Sequence, residues 1–538
     1  MASFINFFPT ISTGAILVVT SIILLVVFYM RAKTSYWNKR GVPSLSAWRF
    51  IGELVGLTVG RAHMADFYIK LYRDFEGQKF GGSFQGLQPL ILLRDPQLIK
   101  YFCIKVFSCF HDRTPPVTQG DDNPFMVNLF SLTGEKWRQV RHKLSPGFSC
   151  AKLKIMFQIL KDYSSELNSY LEKKVSKTGD VEIDIKELMS NYTLEVIGAV
   201  AMGIKCNAIQ DPNCEFKQIM LAMFRVNWRS YVFFFLDLIH HKLPALIRFE
   251  PVSPKISDFF KKVVKETMEM KDSKHEVSRK DFLQLVMNHR DCEEQMKDEN
   301  DLDPLLSQEN RLPKDALDSE EEGPLFCESL IMGTMVSFLS AGFEPVSSTL
   351  TFCLYELAHH PDVQEKLFNE IQTVKASEPG NEINYESMKK FKYVDQVMNE
   401  TLRKHPVAGI LMRTCTEPVL IPDTSVIVEK GTQVFISLYG LQSDPKYFPD
   451  PKKFDPDRFS DENVDKIIPG TYLPFGDGPR FCIAMRLATL DIKTLLITVI
   501  SNFRVQTCER TVAEMKYDKK LFLLSPDGPI WLRFEKRI

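Results

Sequence analysis

Hydrophobic residues recur along most of this chain with the period of an α-helix, and the apolar runs typical of strands are short. Residues 151–290 are mainly helical by this period. Leu325 to His359 is apolar nearly all round, which predicts one long, central helix. Pro89 to Leu93 and Val434 to Ile436 are strand-like runs. The pattern predicts a mainly α-helical fold with small β-sheets, an α+β architecture.

The first thirty residues carry no charged side chain, and Gly14 to Met30 is almost wholly apolar. This length is at the short end for a membrane-spanning helix. A cleaved signal peptide would have a basic start and a small-residue cleavage site. Here the basic residues come afterwards: Arg31, Lys33, Lys39 and Arg40. Their position predicts a retained anchor with the following chain in the cytosol.

This reading divides the chain into three parts. Residues 1–30 are a single-pass membrane anchor, 31–44 are a basic hinge, and 45–538 are one large domain. Residues 291–323 are rich in acidic side chains and are predicted to be a solvated linker within that domain.

Composition narrows the class of protein further. The net charge of −1 gives no signal for nucleic-acid binding. The 11 cysteines are scattered, odd in number and without a CxxC pair. They fit a reducing compartment and argue against a disulfide framework or a zinc site.

One cysteine stands in a distinctive setting. A turn rich in Gly and Pro ends in Cys482, just before a predicted helix that starts at Met485. A helix N-terminus lowers the pKa of a nearby thiol, which suits a thiolate that serves as a metal ligand. Gly476 and Gly478 let the backbone approach a large flat group, and Arg480 can meet an anionic edge of it. Without further context, such a cysteine is more often a small buried residue.

The spacing Phe475-x-x-Gly478-x-Arg480-x-Cys482 resembles the haem-binding signature of the cytochrome P450 family. Cysteine thiolate is the axial ligand of haem in that family. The family usually has Gly two residues after the cysteine, where this chain has the small residue Ala484. The resemblance implies haem b, with Cys482 as the iron ligand.

Two further stretches resemble the family's contacts with the haem propionates. Trp137 and Arg141 lie four residues apart, on one face of a predicted basic helix. Trp137-Arg138-x-x-Arg141 is similar to the family's helix whose Trp and last Arg contact a propionate. The apolar strand from Val407 ends at Arg413, which the resemblance places at a propionate too. For the helix of Trp137 and Arg141, the alternative is a solvated basic face with one buried Trp.

Glu400 and Arg403 resemble the family's core ion pair, with Arg458 as its third member. A pair at this spacing on a protein surface would contribute little. The resemblance implies that the three residues brace the haem-binding core and take no part in catalysis.

The central helix resembles the family's oxygen-binding segment at Ala341-Gly342-x-Glu344 but then departs from it. The family has Thr after the acid, and its hydroxyl helps to deliver protons during oxygen activation. Here Pro345 has neither a hydroxyl nor an amide hydrogen, and a proline inside a helix costs about 3 kcal/mol. Ser347 and Ser348 are candidates for the missing donor. A harmless kink in a buried helix is the alternative.

The resemblance also implies a substrate pocket lined by apolar side chains. The expected lining residues are Phe125, Met126, Phe338, Val407, Ile410 and Leu524. Phe125 and Met126 could instead only fix their loop to the core. The aromatic stretch from Trp228 to Leu246 is a candidate for contact with the bilayer surface beside a substrate entrance.

The local sequence looks most like the insect branch related to vertebrate xenobiotic-metabolising enzymes. The leading prediction is a monooxygenase of the endoplasmic reticulum membrane that oxidises lipophilic small molecules, either xenobiotics or endogenous lipids and hormones. Its electrons would come from NADPH through cytochrome P450 reductase, with cytochrome b5 as a further candidate partner. Because of Pro345, a haem-thiolate isomerase or dehydratase and a poorly coupled, ligand-binding haem protein remain as alternatives.

Overall fold

The computed structural model describes most of the chain after the predicted anchor. The described residues are 21, 35–45, 63–85, 88–113, 125, 127–176, 179–239, 243–247, 249–273, 281–288, 325–521 and 523–537. The anchor, apart from residue 21, and the acidic stretch 291–323 lie outside them, so both stay predictions.

Helices dominate the described part of the chain. The α-helices are α1 (Met64–Asp74), α2 (Pro96–Lys100), α3 (Gly134–Leu144), α4 (Cys150–Val175), α5 (Ile185–Met202), α6 (Glu215–Phe224), α7 (Trp228–Ile239), α8 (Leu243–Leu246), α9 (Pro254–Ser273), α10 (Glu328–His359), α11 (Pro361–Ser377), α12 (Lys392–Lys404), α13 (Leu438–Leu441) and α14 (Met485–Asn502). Short helical segments also cover 35–38 and 282–288.

The strands are short and form small sheets, as predicted. They are β1 (Phe80–Gln85), β2 (Gln88–Leu93), β3 (Asp180–Asp184), β4 (Ile410–Thr414), β5 (Val419–Leu420), β6 (Ile427–Val428), β7 (Gln433–Ser437), β8 (Phe503–Gln506) and β9 (Trp531–Lys536). The sheets have the orders β1-β2-β7-β4, β3-β9-β8 and β5-β6. The mainly α-helical fold with small sheets is therefore confirmed.

The first sheet joins stretches that are far apart in sequence. β2 runs parallel to β7, with Leu90 opposite Gln433, and β4 pairs antiparallel with β7, which places Arg413 opposite Val434. The end of β2 is a continuous apolar run because both faces of the sheet are covered there. Residues 35–45 rest on this sheet: Trp37 is fully buried and its indole nitrogen donates to the carbonyl oxygen of Ser83, 2.7 Å away.

Helix α10 runs through the centre, in agreement with the prediction from its apolar sequence. Among the described residues it is the one helix with the length and apolar composition to cross a membrane. Of its most apolar stretch of 18 residues, 56% is buried inside the protein. It packs against α5, which is also buried nearly all round. At Gly342 a Cβ atom would collide with the side chain of Ile197, so the two helices approach at a distance that glycine permits.

The sequence from Leu521 to Gly528 predicts a hairpin, and the chain does reverse direction here. Tyr517 forms an antiparallel bridge with Pro526, and the Asp518 amide donates to the Ser525 carbonyl oxygen at 2.9 Å. The reversal therefore lies between Asp518 and Ser525. The amide of Leu524 donates to the carbonyl oxygen of Val407 at 3.0 Å, which holds this segment against the core.

Candidate active site

The loop that carries Cys482 is fixed by backbone hydrogen bonds before α14 begins. The amide of Cys482 donates to the carbonyl oxygen of Phe475 at 2.8 Å, across a 3-10 turn over Gly478–Arg480. Gly478 has a φ of +68°, and a Cβ atom there would collide with the carbonyl oxygen of Cys103. Only glycine fits this position. The loop and the helix start at Met485 are as predicted.

The electrostatics at the Cys482 thiol differ from the prediction. We expected the helix N-terminus to lower the pKa of this thiol, but burial, the largest effect, raises it. The amide of Ala484 and the charges of Arg113 and Arg141 offset the rise only in part. The lowered pKa was wrong because desolvation of a thiolate depends on packing. A metal ion at the sulfur would deprotonate it outright.

Arg480 ties the cysteine loop to the segment before α3. It is 2% exposed and donates to the carbonyl oxygens of His111, Leu129 and Leu132 at 2.7, 3.2 and 2.6 Å. Its guanidinium lies over the ring of Trp137, 3.9 Å from the ring centre. Trp137 and Arg480, which are both expected from the sequence to contact the haem, are thus in direct contact with each other.

Arg480 belongs to a cluster of four arginines near the cysteine, with Arg113, Arg141 and Arg413. Burial is the main cause that lowers the pKa of each, to about 9 for Arg113 and about 8 for Arg480. For those two, the charges of neighbouring arginines lower the pKa further. The Nε of Arg413 is buried without a hydrogen-bond partner. Asp112 lies 3.9 Å from Arg480, and the charge of Asp477 acts on Arg413. The four guanidinium groups still exceed these two carboxylates in charge, so a group with further carboxylates fits beside the thiol.

One face of α10 is accessible, although most of this helix is buried. Ala341 is exposed, while Phe338 and Pro345 are half-buried. Three and four residues apart, they share one helical face. The helix continues without a break through Pro345. Since proline has no amide hydrogen, the carbonyl of Ala341 receives no bond from it.

Glu344 is buried one residue before this proline, and burial raises the pKa of its carboxyl group. Ser525, the charge of Lys186 and Ser348 oppose this rise in pKa, in that order, and the hydroxyl of Ser348 donates to the Glu344 carboxylate at 3.1 Å. Ser347 instead bonds to Ser190 at 3.2 Å. Of the two candidate donors, the structure therefore pairs Ser348 with the acid. No sequence pattern pointed to Lys186, which comes from α5.

These features agree with a comparison against known families. Residues 42–533 match the family model described as Cytochrome P450. The chain belongs to the cytochrome P450 family. It is 34% identical over 505 residues to "Probable cytochrome P450 6a14" of Drosophila melanogaster, covering 93% of this chain and 95% of that relative. It is 33% identical over 516 residues to "Cytochrome P450 9e2" of Blattella germanica, covering 93% of this chain and 94% of that relative.

Cytochromes P450 are haem monooxygenases, so this P450 is a monooxygenase, and the isomerase and dehydratase alternatives are not favoured. The residues present fit haem. A thiol stands beside four arginines, two of them buried and two half-buried, and one has an unpartnered Nε, which suits an iron porphyrin with two carboxylates. Sequence reasoning missed Arg113, whose guanidinium donates to the Arg480 carbonyl oxygen at 2.7 Å. Its only signal was a charged run before a Pro-rich loop.

The predicted core triad of this P450 is assembled. Arg403 holds Glu400 with two parallel bonds of 2.7 and 2.8 Å, and both side chains are fully buried. Arg458 lies 3.5 Å from the same carboxylate, which also accepts the amide of Asp455 at 3.0 Å. The guanidinium of Arg403 further donates to the Gln442 carbonyl oxygen at 3.0 Å. The triad thus joins α12 to the segment that precedes the cysteine loop.

The residues predicted to line the substrate pocket fall into two groups. Phe338 and Phe125 pack with the core around α10, where Phe338 meets the ring of Phe282 edge-to-face at 4.3 Å. A separate small cluster contains Val407, Leu524 and, at its edge, Ile410. Met126 lies outside the described residues.

Proposed function

We propose that this P450 oxidises lipophilic small molecules, xenobiotics or endogenous lipids and hormones, with molecular oxygen. The observation that carries the proposal is the cluster of buried and half-buried arginines around the Cys482 thiol. The accessible face of α10 supports a lipophilic substrate, because Phe338, Ala341 and Pro345 are all apolar.

In this proposal Cys482 is the iron ligand of haem b. Arg113, Arg141, Arg413 and Arg480 hold the two propionates, since guanidinium groups match carboxylates in geometry and charge. Trp137 orients Arg480 through its ring, and Phe475 and Gly478 shape the loop. Haem supplies the activation of oxygen and its transfer to substrate.

The residues that supply protons to the reaction lie on α10. Glu344 holds and passes protons, and Ser348 orients its carboxylate in place of the hydroxyl that Pro345 lacks. Ala341 and Gly342 leave room at the accessible face because their side chains are small or absent. A relay that bypasses Pro345 allows monooxygenation, although more reducing equivalents are lost as peroxide than with a hydroxyl at residue 345.

Electrons come from NADPH through cytochrome P450 reductase, with cytochrome b5 as a second donor. Basic side chains on α3 and at the start of α4 support docking of an acidic partner near the cysteine loop. They are Lys136, Arg138, His142, Lys143, Lys152 and Lys154. The guanidinium of Arg141, on the same helix α3, lies 5.0 Å from the ring centre of Phe481 in the loop.

The protein is held at the cytosolic face of the endoplasmic reticulum by the predicted anchor over residues 1–30. The apolar run Gly14 to Met30 and the basic residues after it support this location. Trp228, Leu246 and Ile247 are 65%, 77% and 55% exposed, which supports bilayer contact by the region around α7 and α8.

The proposal is tested in vesicles that contain the full chain, reductase, NADPH and a panel of lipophilic compounds under isotopically labelled dioxygen. We expect products that carry one labelled oxygen atom, and none from the Cys482→Ala variant. Products without label would contradict the monooxygenase. Spectral binding of compounds with no product would indicate a ligand-binding haem protein instead.

A further inference from the structure

Three residues from distant parts of the chain form a buried line of hydrogen bonds. The hydroxyl oxygen of Tyr517 lies 3.0 Å from Nδ1 of His405, and Nε2 of His405 lies 2.7 Å from the carboxylate of Glu356. Glu356 belongs to α10, His405 directly follows α12, and Tyr517 stands at the start of the reversal near the end of the chain. We call these three residues the histidine bridge. Glu356 and His405 are each 2% exposed, so the bond between them is shielded from water.

The direction of each bond in the histidine bridge follows from its charges. Burial acts to raise the pKa of Glu356, but the hydrogen bond from His405 and the charge of Lys404, 3.0 Å away, outweigh burial and lower this pKa. The carboxylate is therefore ionised and only accepts, so Nε2 of His405 donates to it. Burial lowers the pKa of His405, which keeps the ring neutral, so its Nδ1 accepts the hydroxyl hydrogen of Tyr517.

The ring of His405 is also held from its face. It stacks on the ring of Phe352, with 4.5 Å between the ring centres and 9° between the planes. Tyr517 meets the same phenylalanine edge-on at 6.0 Å. Phe352 follows Pro345 by about two helical turns, so it continues the accessible face of α10. The histidine bridge therefore stands at one end of that face.

Two segments predicted to line the substrate pocket meet at the histidine bridge. Val407 comes two residues after His405, and Leu524 lies on the reversal that starts at Tyr517. Both pack with Phe352 in the small cluster described above. The backbone hydrogen bond from Leu524 to Val407 is one attachment between the segments, and the bond from Tyr517 to His405 is another. With two separate attachments, neither segment can turn about a single bond.

We propose that the histidine bridge determines which lipophilic compounds fit the pocket, because it fixes Val407 and Leu524 at the end of the accessible face of α10. Its members are positioning residues and do not touch the substrate. The inference rests on the proposed function, in which these two segments line the pocket. A buried polar network adds little net stability over apolar packing, but it defines one geometry. That property suits a set of residues that fixes the shape of a pocket.

The test measures the binding of two azoles to the full chain with haem bound. Imidazole is small and reports the haem iron alone, whereas clotrimazole is bulky and apolar and also reports the pocket walls. Tyr517→Phe removes one hydroxyl and keeps the ring against Phe352. The matched control is Tyr472→Phe, because Tyr472 is half-buried too and its hydroxyl donates to the carbonyl oxygen of Asn399 on α12, 3.1 Å away. Dissociation constants come from the shift of the main haem absorption band, and haem per chain and the melting temperature are measured alongside.

We expect Tyr517→Phe to raise the dissociation constant of clotrimazole about fivefold, the equivalent of about 1 kcal/mol, and to leave that of imidazole and the haem content unchanged. An unchanged or lower constant for clotrimazole would overturn the inference, even with a lower melting temperature, since the histidine bridge would then only brace the fold. Equal increases for both azoles, or the same increase in Tyr472→Phe, would overturn it as well. A wild-type chain that bound neither azole would refute the haem pocket of the proposed function, whereas one that bound both without a response in Tyr517→Phe would refute the role of the histidine bridge alone.

Discussion

The hydroxyl of Ser348 donates to the Glu344 carboxylate at 3.1 Å, one helical turn beyond the acid. Pro345, between them, has no donor of its own. If this bond orients the proton-carrying carboxylate, Ser348→Ala should lower product formed per NADPH and raise peroxide. A hydrogen bond to a charged group contributes about 1.5–3 kcal/mol, so productive turnover should fall by about tenfold or more.

The matched control for Ser348→Ala is Thr351→Val. The hydroxyl of Thr351 bonds to the carbonyl oxygen of Ser347 within the helix and does not reach the acid. Its loss should leave coupling between NADPH use and product unchanged. Equal coupling in both variants would remove Ser348 from the relay.

Two replacements of Pro345 distinguish the effect of a hydroxyl from the effect of an amide hydrogen. Pro345→Thr restores both, and Pro345→Val restores only the amide. Both should stabilise α10, by up to about 3 kcal/mol, because the carbonyl of Ala341 regains a helical hydrogen bond. Only Pro345→Thr should raise the yield of product per NADPH. A similar yield from both variants would show that the hydroxyl is not what this P450 lacks.

Arg480 should be needed for haem retention through its hydrogen bonds and its contact with Trp137, and not through its charge alone. Arg480→Lys keeps the charge but loses three bonds to backbone carbonyls and the planar contact with Trp137. At about 1 kcal/mol per bond, the protein should lose about 3 kcal/mol of stability and most of its haem. Haem per chain is read from the pyridine haemochrome spectrum. The control is the exposed Arg486, and an equal effect of Arg486→Lys would contradict this role.

The Glu400–Arg403 pair should matter far more than an exposed ion pair. Glu400→Gln leaves two arginines facing a neutral group in a dry environment, and breaking a buried pair costs about 3–5 kcal/mol. Urea denaturation measures this loss. Lys392→Gln breaks the exposed pair with Asp461 and should leave the free energy of unfolding nearly unchanged. Comparable losses would mean that the triad does not brace the core.

Asp491 should make stability fall as pH rises. This carboxyl is buried in α14, where it accepts a hydrogen bond of 2.7 Å from Tyr192, and burial raises its pKa to about 7. Since the pKa is higher in the folded than in the unfolded chain, the cost of ionisation appears above about pH 4, grows as pH rises and is complete above about pH 7. Asp491→Asn should therefore stabilise the protein by a few kcal/mol at about pH 8, by less than half as much at about pH 5 and hardly at about pH 3. A pH-independent difference would contradict the raised pKa.

The sequence alone determined the elements whose cause is local. The turn before Cys482 is set by its glycines and prolines, and the central position of α10 by an apolar surface all round. The partners Glu400 and Arg403 are three residues apart on one helix, so their contact needs little more than the helix itself. For this reason the family could be inferred from short motifs.

Tertiary structure decided what depends on distant residues and on the exclusion of water. The pKa of the Cys482 thiol rises because desolvation outweighs the helix N-terminus, and no local pattern reports desolvation. Arg113 joins the cluster through the carbonyl of Arg480, 367 positions away. The choice of Ser348 over Ser347 and the reversal before Ser525 follow from packing against α5 and Val407. Such contacts form only when the whole chain has folded, because the two partners come from distant parts of the sequence.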